Sequence, residues 1–223
     1  MSRRCAMTQA TVELKPIPRI GDPAPDFEVM TTHGVKRLSD YRGHWVILFS
    51  HPADFTPVCT TEMVGLAKLN EEFEKRNAKL LGLSVDSIHS HIAWLENIRQ
   101  NFGIELPFPI IADIDMKVSS LYGMIHPGAS STATVRAVFF IDPDGIIQAL
   151  VYYPLTNGRN LDELLRLLDS LQTSREYKVA TPANWHKGER VIEPPPKTVE
   201  ELRQRREGDY PEKVDFYLVK KDL

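Results

Sequence analysis

Apolar runs separated by polar turns mark the strands of this chain. Residues 45–49 form an unbroken apolar run between polar residues, which is typical of a strand buried on both faces. Further strands are predicted at residues 27–30, 35–38, 79–85 and 108–112. A hairpin is predicted where the apolar segments 136–141 and 146–152 flank a turn that contains Pro143 and Gly145.

Helices are predicted where apolar residues recur every three to four positions. Leu66, Leu69 and Phe73 recur in this way after Pro57 and predict a helix over residues 57–76. The other predicted helices cover residues 87–102, 116–122, 161–171 and 198–206. The core-facing side of the second helix is assigned to Ile88, Ile92, Leu95 and Ile98.

The order of these elements predicts the fold class. Strands and helices alternate and are followed by a hairpin and a last helix, which favours an α/β protein built as a three-layer sandwich with a central mixed sheet. The proline-rich residues 1–26 are predicted to form an extended arm. We assign residues 1–173 to one domain, because the composition changes and prolines become frequent from Ser174 onward.

Residues 174–223 are interpreted as a C-terminal extension. So short and proline-rich a segment is expected to lack a core of its own. We therefore expect it to lie on a neighbouring subunit and to serve oligomerisation. The large apolar residues expected at that contact are Trp185, Val214, Phe216, Tyr217 and Leu218.

Charge and composition exclude two classes of partner. The chain has 27 lysines and arginines against 30 aspartates and glutamates, so its formal net charge of −3 provides no basic field to attract nucleic acid or an anionic membrane. Arg3 and Arg4 are followed by no apolar segment of a targeting signal, and no run approaches the length of a membrane span. We therefore predict a cytoplasmic protein with no nucleic-acid and no membrane partner.

The chain contains two cysteines, Cys5 and Cys59. Two cysteines are too few for the disulfide framework of a secreted protein, and they have no metal-ligand spacing. His89 and His91 stand two positions apart on a predicted helix and point in different directions, so we predict no metal and no other cofactor. Cys5 is interpreted as an exposed tail residue, and the alternative is that it resolves an oxidised Cys59.

Cys59 falls in the first turn of a predicted helix. Thr56 is a residue type common at the N-cap, and Pro57 suits the first helical position. The free backbone N–H groups and the positive end of the helix dipole favour an anion there. The thiol is therefore expected to ionise more readily than an ordinary cysteine thiol.

The residues around Cys59 also match a known motif. Pro52, Thr56 and Cys59 form a Pro-x-x-x-Thr-x-x-Cys pattern that resembles the peroxidatic-cysteine motif of the peroxiredoxins. The whole segment 49–62 is very similar to the one-cysteine (peroxiredoxin six) branch of the AhpC/TSA family, and similar features run from Gly21 to the C-terminus. The resemblance implies a thioredoxin-like fold and a thiol-specific peroxidase. Such an enzyme reduces hydrogen peroxide and organic hydroperoxides to water and alcohols through a cysteine sulfenic acid.

The resemblance implies roles for residues near the sulfur. Thr56 would bond a peroxide oxygen, although a plain N-cap role is the alternative. Arg136 would pair with Cys59 and with the bound peroxide, where the alternative is a surface charge at a strand start. Glu62 would orient Arg136, and Arg159 resembles a second arginine that binds substrate.

The resemblance also implies roles for His51 and Pro52, and the chain departs from the family pattern in two respects. His51 resembles a histidine that hydrogen-bonds the sulfur or shuttles a proton, and Pro52 would close the pocket, while purely structural roles are the alternatives. No cysteine follows Cys59, so an external thiol, either a small thiol or a thioredoxin-like protein, must complete the cycle. The Gly-x-Ser-x-Gly element of some relatives is absent, and phospholipase activity is not expected.

Two other functions are alternatives to the peroxidase. A thiol–disulfide oxidoreductase would share the fold, but the chain lacks the second cysteine of a C-x-x-C motif. An oligomeric holdase chaperone with secondary peroxidase activity is the alternative from another class. The resemblance also implies a homo-oligomer built from dimers, with a ring of five dimers as the expected size.

Overall fold

A computed structural model describes residues 17–223, so Cys5 and most of the predicted N-terminal arm lie outside the described residues. Its central sheet has seven strands in the order β2-β1-β5-β4-β3-β6-β7. The strands are β1 Glu28–Thr31, β2 Gly34–Arg37, β3 Trp45–Ser50, β4 Ala78–Ser84, β5 Ile110–Ala112, β6 Arg136–Ile141 and β7 Ile147–Tyr153. The pairs β3–β4 and β4–β5 are parallel and the other pairs are antiparallel, which confirms the predicted mixed sheet.

Helices cover both faces of this sheet. The helices of the described residues are α1 Pro57–Lys75, α2 Ile88–Phe102, α3 Lys117–Leu121, α4 Leu161–Tyr177 and, in the C-terminal extension, α5 Val199–Glu207, with a 3₁₀ helix at Leu38–Tyr41. Helices α1, α2 and α4 pack on one face of β3 through Trp45, Ile47 and Phe49. Helix α3 and the 3₁₀ helix pack on the other face, against Val46 and Leu48. Strand β3 is therefore buried on both faces, as its unbroken apolar run predicted.

Several predicted element ends were displaced for identifiable reasons. Strand β2 ends at Arg37 because Leu38 begins the 3₁₀ helix, and β5 begins only after Pro109. Helix α4 continues to Tyr177 instead of ending near residue 171. Polar contacts hold this extra length, because Arg175 pairs with Asp142 at 2.6 Å in the hairpin turn.

The predicted buried face of α2 was wrong in part. Its buried residues are His91, Trp94 and Ile98, whereas Ile92 is 54% exposed. A rotation of the helix by one position thus places a histidine in the interior. The cost of burying His91 is offset by hydrogen-bond partners for its ring nitrogens, Asp54 and the Ile111 carbonyl.

The C-terminal extension has more structure than its composition suggested. Helix α5 was predicted, but the extension also contains β8 Val191–Ile192, β9 Glu212–Asp215 and β10 Leu218–Lys221, paired in the order β8-β10-β9. Trp185 is buried in a small cluster with Val179 and Val191, so the expectation that it is left for a neighbouring subunit was wrong. Between residues 17 and 223 no helix is long and apolar enough to cross a membrane.

Candidate active site

The loop between β3 and α1 carries the predicted reactive cysteine. Strand β3 ends at Ser50. Helix α1 begins at Pro57, which the sequence predicted as the first helical position. Cys59 lies in the first turn of this helix and its side chain is fully buried. The buried position isolates the sulfur from bulk water, and the first turn places it near the positive end of the helix dipole.

Thr56 occupies the N-cap position but does not use its side chain as a cap. Its backbone is extended, and its hydroxyl donates to the Ala53 carbonyl at 2.9 Å. The hydroxyl proton is thereby engaged inside the loop. The oxygen of Thr56 keeps lone pairs that can accept a further hydrogen bond.

Arg136, the first residue of β6, reaches the sulfur. Its Nη1 lies 3.4 Å from Cys59 Sγ and donates to Glu62 Oε2 at 2.6 Å. Its Nε and Nη2 donate to the Leu155 carbonyl at 3.0 and 2.7 Å, which fixes the plane of the guanidinium. Only 2% of Arg136 is exposed, so this charge acts in a site with little solvent screening.

Glu62 joins Arg136 to Arg159, and we call these three residues the arginine–glutamate cluster. Arg159 donates to Glu62 Oε1 from its backbone N at 2.8 Å and from Nε at 2.9 Å, and to Oε2 from Nη2 at 2.7 Å. Burial alone would raise the pKa of Glu62, but the hydrogen bonds and charges of the two arginines outweigh it and lower that pKa. Two arginines and one carboxylate leave this buried cluster with a formal charge of +1.

A second polar cluster begins where β3 ends, and we call it the histidine–aspartate cluster. Asp54 Oδ1 lies 3.1 Å from His51 Nε2, and its two oxygens lie 3.0 and 2.8 Å from His91 Nδ1. Both histidine side chains are fully buried, and Asp54 is nearly so. The ring of His51 packs 5.2 Å from that of Trp94, whose Nε1 donates to Thr60 Oγ1 next to Cys59.

Burial and hydrogen bonding shift these groups in defined directions. Burial lowers the pKa of His51, and the hydrogen bond with Asp54 opposes this effect without cancelling it. Burial would raise the pKa of Asp54, but the hydrogen bonds with His51 and His91 prevail and hold that pKa far below its usual range. His51 is therefore neutral and Asp54 ionised near neutral pH.

His51, Asp54 and Asp86 also bring potential metal-ligand atoms within 4.8 Å of one another. The two carboxylates of this group already have protein partners: Asp54 contacts His51 and His91, and Asp86 Oδ2 accepts from the backbone N of Asp54 at 3.0 Å and from Ser84 Oγ at 2.6 Å. The hydrogen bonds account for the grouping without an ion. The absence of a metal stays a prediction.

The structure brings some of the predicted site residues together and separates others from the sulfur. Arg136, Glu62 and Arg159 form one network with Cys59. Within residues 17–223, neither His51 nor Thr56 forms a hydrogen bond with the sulfur, and Pro52 is buried in the loop before α1. Asp54 and His91 were not among the predicted site residues, because neither stands at a position of the motif that the sequence analysis recognised.

Comparisons with known proteins show the family of the chain. Residues 20–150 match the AhpC/TSA family model, and residues 170–208 match the model of the C-terminal domain of 1-Cys peroxiredoxin. A peroxiredoxin of Aquifex aeolicus is 55% identical over 223 residues, which covers 95% of this chain and 100% of that protein.

Two solved structures resemble the chain over almost its whole length. A yeast mitochondrial 1-Cys peroxiredoxin superposes with a TM-score of 0.83 at 40% identity, covering 93% of this chain and 100% of its own. A mutant of peroxiredoxin 6 of Arenicola marina gives a TM-score of 0.80 at 36% identity, covering 92% and 97%. These likenesses confirm the predicted thioredoxin-like fold.

Proposed function

This chain belongs to the peroxiredoxins of the AhpC/TSA family and is a thiol-dependent peroxidase, and from that premise we propose that Cys59 is the residue that peroxide oxidises. The observation that carries the proposal is the contact of 3.4 Å between Arg136 Nη1 and Cys59 Sγ inside a buried site. No other cysteine lies in the part of the chain that the structure describes.

The reaction needs a thiolate that attacks one peroxide oxygen. The S–O bond forms as the O–O bond breaks, Cys59 becomes a sulfenic acid, and the other oxygen leaves as hydroxide or alkoxide and takes up a proton. The arginine–glutamate cluster supports the thiolate, because its formal charge of +1 is balanced by one negative sulfur. Cys59 and the three cluster residues then form a buried group with no net charge.

Ionisation of the thiol gives only part of the rate. As a thiol becomes more acidic its thiolate becomes less nucleophilic, with a Brønsted slope of about 0.4–0.5 in disulfide exchange. Most of the acceleration must then come from donors that align the peroxide and stabilise the departing oxygen. We assign this role to Arg136, whose Nη1 already points at the sulfur.

Thr56 is proposed to hold the protonated oxygen of the peroxide. Its own hydroxyl proton is given to the Ala53 carbonyl, so its lone pairs are free to accept a hydrogen bond from the peroxide O–H. Pro52 is proposed to close the pocket on the side of the loop, where it is buried.

Arg159 is proposed to act on the substrate site through Glu62. Its Nε and Nη2 donate to Glu62, and its Nη1 donates to the carbonyls of Ser50 and Ala137 at 3.0 and 3.2 Å. An arginine engaged in this way fixes the carboxylate, which in turn fixes Arg136. We therefore treat Glu62 and Arg159 as positioning residues.

His51 is proposed to move the proton. Its Nε2 faces Asp54, and its Nδ1 is buried without a hydrogen-bond partner among residues 17–223. A neutral His51 takes the proton of the Cys59 thiol and returns it to the departing hydroxide or alkoxide, so that the protons balance over one oxidation.

The family implies a peroxide substrate and a thiol reductant. Because no cysteine follows Cys59 in the sequence, we propose that a small thiol or a thioredoxin-like protein reduces the sulfenic acid. The yeast relative is described as resolving its thiol through glutathione and thioredoxin systems, which supports this choice. A compartment that keeps such thiols reduced, for which we propose the cytoplasm, suits the cycle.

We further propose a homo-oligomer of dimers, with a ring of five dimers as the expected size and residues 174–223 at the dimer contact. In the extension, the apolar residues Val214 and Tyr217 are 64% and 57% exposed, and a contact with a second subunit would remove them from water. Sedimentation velocity at micromolar concentration measures the mass. A monomer under those conditions would overturn the proposal.

The peroxidase assignment is tested by comparing variants in which one or the other of the two cysteines is replaced. Cys59→Ser is expected to abolish peroxide reduction with dithiothreitol, whereas Cys5→Ser leaves turnover nearly unchanged. Loss of activity in the Cys5 variant, together with a Cys5–Cys59 disulfide on a non-reducing gel, would instead make this a two-cysteine enzyme.

A further inference from the structure

His91 presents both ring nitrogens to hydrogen-bond acceptors in the interior of the protein. Its Nε2 lies 3.1 Å from the Ile111 carbonyl on β5, and its Nδ1 lies 2.8 and 3.0 Å from the two oxygens of Asp54. The side chain is fully buried, so no solvent molecule from the bulk replaces these partners. The mechanism proposed above makes no use of this residue.

The partners of His91 determine where its protons lie. A backbone carbonyl only accepts, so Nε2 must carry a hydrogen. An ionised carboxylate also only accepts, so Nδ1 must carry a hydrogen as well whenever Asp54 is charged. Asp54 accepts from His51 Nε2 in addition, and two donors on one carboxylate favour its ionised form.

We propose that His91 is a buried imidazolium and a positioning residue for His51. It keeps Asp54 as an anion, and Asp54 keeps the proton of neutral His51 on Nε2. The Nδ1 atom of His51 is then left with a lone pair, ready to accept a proton. This inference rests on the proton-transfer role proposed for His51.

The positive charge of His91 also opposes premature protonation of His51 at Nδ1. The rings of His91 and His51 have their centroids 6.2 Å apart, close enough for the positive charge of one to oppose protonation of the other. Besides the Cys59 thiol, two carboxylates face these rings: Asp54 lies in the loop after β3, and Asp86, which follows β4, accepts the backbone N–H of Asp54. Without His91 the two carboxylates would draw a proton onto His51.

Neutron crystallography of the wild-type protein at neutral pD tests the protonation states directly. The expected map has deuterium on both nitrogens of His91, on Nε2 alone of His51, and on neither oxygen of Asp54. A single deuterium on His91, or one on Asp54, would overturn the inference. This result does not depend on peroxidase activity, so it stands or fails separately from the proposed function.

A matched pair of variants tests the consequence for the reaction. His91→Gln keeps a neutral donor for Asp54 but removes the charge, and the acid limb of the pH–rate profile for Cys59 oxidation is expected to move to higher pH by about one unit. His89→Gln changes an exposed histidine on the same helix and should leave the profile in place. An unshifted profile in the His91 variant would contradict the positioning role.

Discussion

Two buried polar clusters hold the segment that carries Cys59, and they differ in how their charge responds to pH. The arginine–glutamate cluster contacts the sulfur directly, and its two positive side chains are of the type that does not lose its charge in proteins. The histidine–aspartate cluster contains His51 and His91, and histidine is the residue type whose charge ordinarily changes near neutral pH.

This difference separates two tasks that a peroxidase must combine. A permanent charge beside the sulfur supports the thiolate and the departing oxygen over a wide range of pH. A proton acceptor must instead be able to change its charge, and burial keeps the pKa of His51 low enough for it to be neutral. Loss of the first cluster should therefore cost rate at all pH values, whereas loss of the second should change the pH dependence.

Replacing Arg136 should lower the rate of Cys59 oxidation more than replacing a residue of the histidine–aspartate cluster. Arg136→Met is expected to slow oxidation of Cys59 by peroxide at least about a hundredfold, near 2.7 kcal/mol, which is typical of losing one preorganised donor to a developing oxyanion. Stopped-flow tryptophan fluorescence measures the rate, because Trp94 packs on His51 and bonds to Thr60 beside Cys59. Arg99→Met, at an exposed arginine of α2, is the matched control and should change the rate little.

The pH dependence of that variant decides what Arg136 does. If Arg136 stabilises the departing oxygen, the loss persists at a pH at which the thiol is ionised in both proteins. Full recovery of the rate at high pH would show that Arg136 only promotes ionisation of the thiol. The assignment of most of the acceleration to this cluster would then be wrong.

Thr56→Val provides a reference outside both clusters. The valine keeps the shape of the side chain but removes the oxygen that accepts from the peroxide, and the rate of Cys59 oxidation is expected to fall about a hundredfold. Thr61→Val is a close control, since Thr61 is exposed on the same helix and its hydroxyl donates to the Val58 carbonyl at 2.7 Å. Equal rates in the two variants would remove Thr56 from the peroxide site.

The smallest predicted effects concern stability as a function of pH. The pKa of His51 is lowered in the folded protein, so below about pH 6.5 the unfolded chain binds a proton that the folded protein does not. Stability should fall there by up to about 1.4 kcal/mol per pH unit, and His51→Gln should remove this slope. The pKa of Glu62 is also lowered, so the slope that Glu62→Gln removes should begin only below about pH 4.5.

Urea unfolding at a series of pH values measures both slopes. Glu71→Gln, at an exposed position of α1, is the control for the charge change and should leave the curve unaltered. If His51→Gln and Glu62→Gln flatten the same pH interval, the two clusters do not differ in the way described here.

The arginine–glutamate cluster was predictable because its members stand at motif positions. Arg136 opens a strand, Glu62 follows Cys59 by three residues on one helix, and Arg159 precedes an N-cap residue, so the order of the elements carries each side chain to the same end of the sheet. The central strand β3 was predictable for a similar reason, since burial on both faces requires an apolar run.

Of the histidine–aspartate cluster, His51 was predicted as a site residue, whereas its partners Asp54 and His91 were not. Periodicity assigned Ile92 to the core and did not include His91 there, because a histidine counts as polar in such a pattern. Helix α2 instead buries the face that carries His91, because Asp54 and the Ile111 carbonyl satisfy both ring nitrogens of this histidine. That compensation depends on tertiary contacts, and sequence spacing carries no signal for it.

The sheet of the C-terminal extension was missed for a related reason. Its strands have two to four residues each, too short for alternation to be recognised, and prolines between them suggested irregular chain. Trp185 is buried because its Nε1 reaches the Glu189 carbonyl at 3.0 Å and its ring packs on Val179 and Val191.

Mass spectrometry of the wild-type protein after one equivalent of peroxide tests the central claim most directly. The account predicts one added oxygen atom, located on the peptide that contains Cys59, and no such addition in Cys59→Ser. An unmodified Cys59 while peroxide is consumed, or a disulfide between Cys59 and Cys5 in place of the sulfenic acid, would contradict it.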